Sequence, residues 1–240
     1  MDALILAGGL GTRLAPVVSD RAKPVAEVAG RPFLALVLEH LERCAAVRRV
    51  ILCVGHKAHT VEGALGSRFG RLRLDYSHED SPLGTGGALR HALRRFAPAS
   101  PVLAMNGDTL FTVDLDRLLA FHRARRPGAT MALARVDDAA RFGTVRVRAG
   151  RVEAFLEKGR AGPGWINAGT YVLGRVAAEA LAAGPAAFSL EREALPAWCA
   201  EGLLAGLCSR ARFLDIGVPE DYARAAALFA RRAPQPGAGS

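Results

Sequence analysis

Apolar segments of strand length alternate with amphipathic helical segments through the first 136 residues. Strands are predicted for "ALILAG", "RRVILCVG", "LRLDYSHE", "PVLAMNGD" and "ATMALARV". Helices are predicted for "FLALVLEHL", where Pro32 would occupy the first turn, and for "TVEGALGSRF", "TGGALRHALRRF" and "DLDRLLAFHRARR". Strands that alternate with helices cross over and lie parallel. The chain is therefore predicted to be α/β, with a Rossmann-like, doubly wound, mixed but mostly parallel sheet in a single domain.

The second half of the chain has a different rhythm. Alternating valines on either side of Ala149-Gly150 predict a hairpin, and "INAGTYVLG" predicts another strand. Two helices are predicted between 176 and 200, then a strand ending in "RARFLDIG", then the amphipathic helix "PEDYARAAALFARR". We predict one domain over residues 1–231, and a disordered tail over 232–240 because that segment is rich in proline and glycine.

Composition and charge exclude several classes of protein. The sequence has no apolar stretch of transmembrane length and no signal-peptide pattern at its start. Its four cysteines, Cys44, Cys53, Cys199 and Cys208, form no C-x-x-C pair. We expect reduced thiols in a cytoplasmic protein. The net charge is +9, but the arginines are dispersed over helices, so we expect neither nucleic acid nor a membrane as a partner.

The stretch "LAGGLGTRL" directly follows the first predicted strand. Gly8, Gly9 and Gly11 would let the backbone approach a ligand closely, and Arg13 offers a planar fork of donors suited to phosphate. No Lys-Ser or Lys-Thr follows Gly11, so the stretch is not a P-loop. Leu14 occupies the third glycine position of a dinucleotide-binding fingerprint. The turn is therefore interpreted as a different kind of phosphate-binding loop.

Three further polar features fall after predicted strands, where open α/β sheets bind ligands. They are Lys23-Pro24, the glycine-rich "PLGTGGA" from Pro82 to Ala88, and the acids Asp108 and Asp215. Each aspartate alone also fits a helix cap or a solvated turn. Together with an arginine, a lysine and two glycine loops, the acids indicate a Mg²⁺ site, because magnesium is typically held by one or two carboxylates plus substrate phosphates.

These motifs together resemble one family. "LAGGLGTRL", Lys23-Pro24, "PLGTGGA", "NGDT", Glu157-Lys158, "INAGTYV" and "DIGVPEDY" occur in the order seen in sugar-1-phosphate nucleotidylyltransferases. The chain looks most like the D-glycero-D-manno-heptose 1-phosphate guanylyltransferases within that family. The resemblance covers residues 1–229 and implies the nucleotide-diphospho-sugar transferase fold. One departure is Val218, where many relatives have threonine, but Asp215 is intact.

The resemblance also implies roles for individual residues. The implied catalytic residues are Arg13, Lys23, Asp108 and Lys158. The implied nucleotide-binding residues are Leu6, Ala7, Gly8, Gly9, Gly11, Thr12, Arg13, Lys23, Glu79, Pro82, Gly84, Thr85 and Gly107. The residues implied to bind the sugar phosphate are Gly143, Glu157, Lys158 and Asn167, and those implied to bind Mg²⁺ are Asp108 and Asp215.

The implied reaction joins a nucleoside triphosphate, with GTP favoured, to a sugar 1-phosphate and releases pyrophosphate. Glu79 stands where thymidylyl enzymes have glutamine, and a carboxylate only accepts hydrogen bonds, which suits the donors of guanine. Three alternatives stay open: a mannose-1-phosphate guanylyltransferase, a uridylyltransferase acting on a cell-wall amino-sugar 1-phosphate, and a catalytically silent nucleotide-binding regulatory subunit. The last is disfavoured because binding alone does not require both acids.

Overall fold

The computed structural model describes residues 1–156, 159 and 161–230, so the predicted tail at 232–240 lies outside the described residues. The strands are β1 Asp2–Leu6, β2 Glu27–Val28, β3 Arg31–Pro32, β4 Arg49–Val54, β5 Arg68–Phe69, β6 Leu72–His78, β7 Val102–Asn106, β8 Thr109–Phe111, β9 Ala129–Val136, β10 Thr144–Arg148, β11 Arg151–Leu156, β12 Gly164–Leu173, β13 Leu204–Ser209 and β14 Phe213–Asp215. The α-helices are α1 Phe33–Glu42, α2 Ala58–Leu65, α3 Gly84–Phe96, α4 Leu115–Arg125, α5 Arg175–Ala183, α6 Leu195–Ala200 and α7 Pro219–Ala230.

Ten strands form the central sheet in the order β10-β11-β13-β9-β12-β7-β1-β4-β6-β5. β1 pairs in parallel with β4 on one side and β7 on the other, whereas β12 runs antiparallel to both β7 and β9. Side chains of β1 alternate between two apolar cores, with Ala3 and Ile5 in one and Leu4 in the other. Helices therefore cover both faces, and the predicted α/β fold with a mixed, mostly parallel sheet is confirmed.

The position of β1 explains where a ligand can bind. β1 lies between β4 and β7 in the sheet. After β1 the chain continues to β4 on one side of β1, and it later forms β7 on the other side. Such a reversal of strand order opens a crevice beyond the carboxyl ends of the strands. The loops after β1 and β7 carry "GGLGTR" and Asp108, so they meet in this crevice.

A second, small sheet contains one of the two acids. β14 pairs with β8 antiparallel in a separate two-stranded sheet, with Asp215 opposite Thr109. The strand ending at Asp215 was predicted, but β8 was not, because it is only three residues long. This pairing places Asp215 beside Asp108 although 107 positions separate them in the chain.

Several element boundaries differ from the predictions. α1 begins at Phe33, and Pro32 precedes it as the last residue of β3. α2 ends at Leu65, so the predicted extension to Phe69 is wrong: Gly66 leaves the helix with φ +63° and β5 follows. β13 was not predicted, since a short apolar run without alternation is ambiguous between strand and helix.

Two further expectations concern the thiols and the membrane. All four cysteines are free, with Cys44 and Cys53 buried and Cys199 and Cys208 partly exposed. Within the described residues, no helix has both the length and the apolar character needed to cross a membrane.

Candidate active site

A cavity of about 390 Å³ opens at the carboxyl end of β1. It is bounded by the turn after β1, the start of α3 and the end of β7. The predicted nucleotide-binding residues that line it are Leu6, Ala7, Gly8, Gly9, Gly11, Thr12, Arg13, Lys23, Glu79, Pro82, Gly84 and Thr85. We refer to it as the first cavity.

Tight backbone turns shape the loop after β1. The amides of Leu14 and Ala15 both donate to the carbonyl of Gly11, and the buried Leu14 side chain anchors the loop in the core. Gly11 has φ +63°, and a Cβ there would lie 3.2 Å from the Cβ of Lys23. Glycine is thus required for the turn and for the approach of Lys23. Arg13 is exposed and faces the cavity.

Lys23 and the two acids form one charged cluster. Lys23 Nζ donates to Asp108 Oδ2 at 2.6 Å. The hydroxyl of Thr109 lies 3.3 Å from Asp108 Oδ1 and 3.2 Å from Asp215 Oδ2, so it lies between the two carboxylates. The amide of Gly217 donates to Asp215 Oδ1 at 2.5 Å. Burial, and then the charge of Asp108, raise the pKa of Asp215 above its ordinary value.

The donor set of this cluster fits Mg²⁺. Among the described residues, no group of three or more histidine, cysteine or acidic side chains could hold a metal ion. Two adjacent carboxylates are sufficient for magnesium, which takes its other ligands from water and from substrate phosphates. Burial is the larger cause of the raised pKa of Asp215, and a divalent cation would relieve the smaller one, repulsion by Asp108.

Glu79, which follows β6, also lines the first cavity. Leu83 N donates to Glu79 Oε2 at 3.3 Å. Glu79 Oε1 lies against the backbone of Gly8, where a Cβ would come within 2.9 Å of it. Glycine at position 8 therefore leaves room for this carboxylate. Burial raises the pKa of Glu79, and the amide of Leu83 only partly offsets that effect.

The glycines of "PLGTGGA" pack against protein as well as lining the cavity. A Cβ at Gly84 would lie 2.5 Å from the carbonyl oxygen of Phe188, and a Cβ at Gly86 would lie 2.3 Å from the ring of Phe188. Gly86 N and Gly87 N both donate to the carbonyl of Phe188. The tightest contacts that a side chain at these glycines would make are thus with the segment 186–188.

A second cavity, of about 530 Å³, lies beside the first. Asp215, Gly143 and Asn167 line it, together with Arg141 and Phe142 from the loop before β10. Arg13 and Asn106 line both cavities, so the two spaces meet at these residues.

A break in the ladder of β12 orients Asn167. The pairing of β12 with β9 shifts register between Asn167 and Tyr171, and Gly169 adopts φ +64° there. Asn167 Nδ2 donates to the hydroxyl of Tyr171 at 2.7 Å, and Asn167 Oδ1 accepts from Gly169 N at 3.0 Å. Such irregularities commonly redirect side chains next to active sites.

Not every predicted residue lies on a cavity wall. Gly107 lines neither cavity: its amide donates to the carbonyl of Leu6 at 2.9 Å, and a Cβ would lie 2.8 Å from that oxygen. Glu157 and Lys158 lie outside the described residues, so their roles stay predictions. Sequence reasoning did not single out the following lining residues: Arg141, Phe142, Phe155, Glu191, Arg192 and Leu195.

A sequence signal existed for one of these missed residues. Glu191 follows Ser189 in "SLERE", and a serine followed by acids in the first turn is typical of a helix start. Ser189 does cap the helical turn that follows, since its side chain accepts from Arg192 N. Nothing in the sequence indicated that this turn faces the second cavity.

The comparisons with known proteins agree with this geometry. The family model described as "Nucleotidyl transferase" matches residues 2–232. The chain belongs to the nucleotidyl transferase family. This confirms the family resemblance carried by the sequence motifs, and it shows that the chain is a nucleotidyltransferase.

Three relatives illustrate how close the nucleotidyl transferase match is. A protein of Aneurinibacillus thermoaerophilus named D-glycero-alpha-D-manno-heptose 1-phosphate guanylyltransferase is 39% identical over 225 residues, covering 94% of this chain and 96% of that protein. The mannose-1-phosphate guanylyltransferase of Mycobacterium tuberculosis is 38% identical, covering 98% of this chain and 67% of that protein. The crystal structure of HddC from Yersinia pseudotuberculosis complexed with GMP-PN is 35% identical with a TM-score of 0.82, covering 95% of this chain and 99% of that one.

A nucleotidyl transferase needs two substrate sites that meet at the reacting phosphorus. The two cavities are adjacent, and Arg13 reaches both. Asp108 lines the first cavity and Asp215 lines the second. The charged cluster therefore stands at the junction, where positive charge and alignment can lower the barrier to attack on a phosphate.

Proposed function

We propose that this chain transfers GMP from GTP to D-glycero-D-manno-heptose 1-phosphate. A phosphate oxygen of the heptose 1-phosphate attacks the α-phosphorus of GTP. A new P–O bond forms, the bond from the α-phosphorus to the β-phosphate oxygen breaks, and pyrophosphate leaves with the bonding electrons. The products are a GDP-heptose and pyrophosphate.

One observation supports guanine as the base that is recognised. The carboxylate of Glu79 lines the first cavity and lies beside the glycine turn. Guanine presents adjacent N1–H and N2–H₂ donors, and an ionised carboxylate can accept from both. Uracil and thymine present a donor between acceptors, which a glutamine matches better. The guanylyltransferase names of the relatives support the same choice.

The nucleotide is proposed to occupy the first cavity, with the base near Glu79 and the phosphates near Arg13 and Lys23. Support comes from the sheet order, since both Glu79 and Asp108 line this cavity but follow β6 and β7, which β1 and β4 separate. The sugar 1-phosphate would then occupy the second cavity, near Asn167 and Gly143. Arg13 would neutralise phosphate charge on both substrates because it lines both spaces.

Asp108 and Asp215 are the residues proposed to hold Mg²⁺, which supplies positive charge against phosphate oxygens when bound. The attacking phosphate oxygen is already an anion, so the reaction requires no general base. Lys23, which contacts Asp108, holds a positive charge close to the reacting phosphates. Arg13 and the backbone amides of the turn align the nucleotide.

Mannose 1-phosphate is the second candidate acceptor, because the Mycobacterium tuberculosis relative is named for it. The heptose is preferred since the Aneurinibacillus thermoaerophilus relative has nearly the length of this chain, as 96% of it is covered. We also propose that the catalytic domain spans residues 1–231 and works in the cytoplasm. The free thiols support that compartment.

The test is a pyrophosphate-release assay of the purified chain with Mg²⁺. GTP, UTP, dTTP and CTP are each paired with heptose 1-phosphate, mannose 1-phosphate and N-acetylglucosamine 1-phosphate. We expect the highest kcat/KM for GTP with the heptose 1-phosphate. Highest activity with UTP and the amino sugar would overturn the proposal, and absence of turnover with every pair would favour a regulatory subunit.

A further inference from the structure

The Glu191 carboxylate connects the walls of the two cavities. Thr85 lines the first cavity and Glu191 lines the second. The hydroxyl of Thr85 donates to Glu191 Oε2 at 2.5 Å, and the hydroxyl of Ser189 donates to the same oxygen at 3.1 Å. One oxygen of this carboxylate is therefore held by two hydroxyl groups from different parts of the chain.

The backbone around Glu191 is also fixed. It lies in a short π-helix, Leu190–Ala194, a rare conformation that occurs frequently at functional sites. Leu190 is fully buried, and its amide donates to the hydroxyl of Thr85 at 2.9 Å. Ser189 N donates to Glu193 Oε1 at 2.8 Å on the exposed side of the turn. These bonds leave the Glu191 side chain little freedom.

The other carboxylate oxygen of Glu191, Oε1, differs from Oε2 in its hydrogen bonding. Within the described residues, Oε1 takes part in no hydrogen bond and in no salt bridge, although the residue lines the second cavity. The carboxylate also lies near Tyr171, where burial and the charge of Glu191 raise the pKa of the phenol. Because Glu191 is only partly buried where it lines this cavity, Oε1 is accessible and can accept a hydrogen bond from a ligand bound there.

We propose that Glu191 Oε1 accepts a hydrogen bond from a hydroxyl group of the sugar 1-phosphate, and that Thr85 positions it. The inference rests on the proposed function, since it takes the second cavity as the sugar site. A carboxylate repels phosphate and accepts from hydroxyls, so the sugar ring faces Glu191 while its phosphate faces Arg13. Glu191 is thus a specificity-determining residue for a polyhydroxylated substrate.

This assignment gives Thr85 an unexpected role. Thr85 belongs to the glycine loop of the nucleotide cavity, and the family resemblance implied that it binds nucleotide. Its hydroxyl is already engaged, as it donates to Glu191 and accepts from Leu190 N. We infer that removing this hydroxyl weakens binding of the sugar phosphate more than binding of GTP.

Steady-state kinetics on purified full-length variants test the proposal. Glu191→Gln keeps an acceptor for Thr85 but replaces Oε1 by an amide that cannot accept. Glu193→Gln is the matched control, since it makes the same change two residues away on the exposed side of the turn. Thr85→Val removes the positioning hydroxyl and Thr85→Ser restores it. The acceptor is heptose or mannose 1-phosphate, whichever the wild type uses better.

We expect Glu191→Gln to raise the KM for the sugar phosphate by about tenfold or more, with the KM for GTP within about twofold. Thr85→Val should show a smaller change in the same direction, and Thr85→Ser should reverse it. One deoxy analogue of the acceptor should be a poor substrate for the wild type and should show no further loss with Glu191→Gln. That analogue identifies the hydroxyl.

Three outcomes would overturn the inference while leaving the proposed function intact. They are an unchanged sugar KM in Glu191→Gln, equal rises in both KM values, and additive losses with every deoxy analogue. Binding of GTP to each variant, measured by calorimetry, establishes that the nucleotide site is intact. If the wild type itself turns over no sugar 1-phosphate, the proposed function fails instead.

Discussion

Lys23 Nζ lies 2.6 Å from Asp108 Oδ2. Lys23 belongs to the segment that connects β1 to β2, and Asp108 follows β7, the strand next to β1 in the sheet. The lysine side chain is 11% exposed and that of the aspartate is 32% exposed, so water screens the pair only in part. Asp108 is in turn connected through Thr109 to Asp215. One cation and two carboxylates thus form a single cluster at the junction of the cavities.

Replacing one carboxylate of this cluster should stop the reaction without unfolding the protein. Asp108→Asn is nearly isosteric, but it removes the charge that would hold Mg²⁺. We expect kcat to fall by at least about 100-fold, in line with the loss of an electrostatic group at a transition state. Asp114→Asn is the control, because Asp114 caps α4 and asparagine is an equally good cap. Turnover near the wild-type value in folded Asp108→Asn at saturating Mg²⁺ would remove Asp108 from the metal site.

Arg13 should affect both substrates, because it lines both cavities. We expect Arg13→Ala to lower kcat/KM for GTP and for the sugar phosphate by at least about tenfold each. Arg13→Lys should recover only part of this, since lysine keeps the charge and loses the planar fork. Arg175→Ala is the control, because Arg175 is 79% exposed on α5, where it pairs with Glu179, and it lines neither cavity. An effect confined to one substrate would contradict the placement of Arg13 at the junction.

The affinity for GTP should fall as the pH is lowered. Burial raises the pKa of Glu79, so this carboxyl group takes up a proton at a higher pH than an ordinary glutamate does. The protonated form no longer accepts from both guanine donors. We expect the KM for GTP to rise as the pH falls towards the raised pKa, and the ratio of this KM between wild type and Glu79→Gln to change with pH. A ratio that is constant from pH 8 to pH 5 would count against ionised Glu79 in base recognition.

Two glycine substitutions in helices should have opposite effects on stability. A Cβ at Gly86 would lie 2.3 Å from the ring of Phe188, so we expect Gly86→Ala to destabilise the protein by about 1–3 kcal/mol. A Cβ at Gly63 on α2 would meet nothing within 4 Å, so Gly63→Ala should stabilise by about 0.5–1 kcal/mol. Thermal unfolding measures both, with about 2–4 °C per kcal/mol for a chain of this size. Destabilisation of similar size in both variants would mean that contact with Phe188 is not the cause.

The sequence was sufficient to predict the parts of the fold that depend on local pattern. β1, β4, β7 and β9 are buried apolar runs, β6 alternates buried and exposed positions, and amphipathic helices separate them, so the pattern has few interpretations. β8 and β13 were missed for a different reason. Three residues carry no periodicity, and β13 is specified by its place beside β9 rather than by its own alternation.

The candidate site could be predicted only as a set of separate motifs. The glycine turn, Lys23, Asp108 and Asp215 were all identified, but their contacts depend on sheet order and on the pairing of β14 with β8. Glu191 was missed because the π-helix that carries it acquires its place through hydrogen bonds to Thr85, about 100 residues earlier. Long-range contacts of this kind leave no local trace in a single sequence.

Base selectivity in Glu79→Gln tests the central claim most directly. The measurement is the ratio of kcat/KM for GTP to that for UTP, with the same sugar 1-phosphate and Mg²⁺ concentration. Asp80→Asn is the control, because Asp80 is the exposed neighbouring acid. We expect the wild type and Asp80→Asn to prefer GTP, and Glu79→Gln to lose about tenfold or more of that ratio. An unchanged ratio in Glu79→Gln would contradict the role of Glu79, and a wild-type preference for UTP would contradict guanylyl transfer itself.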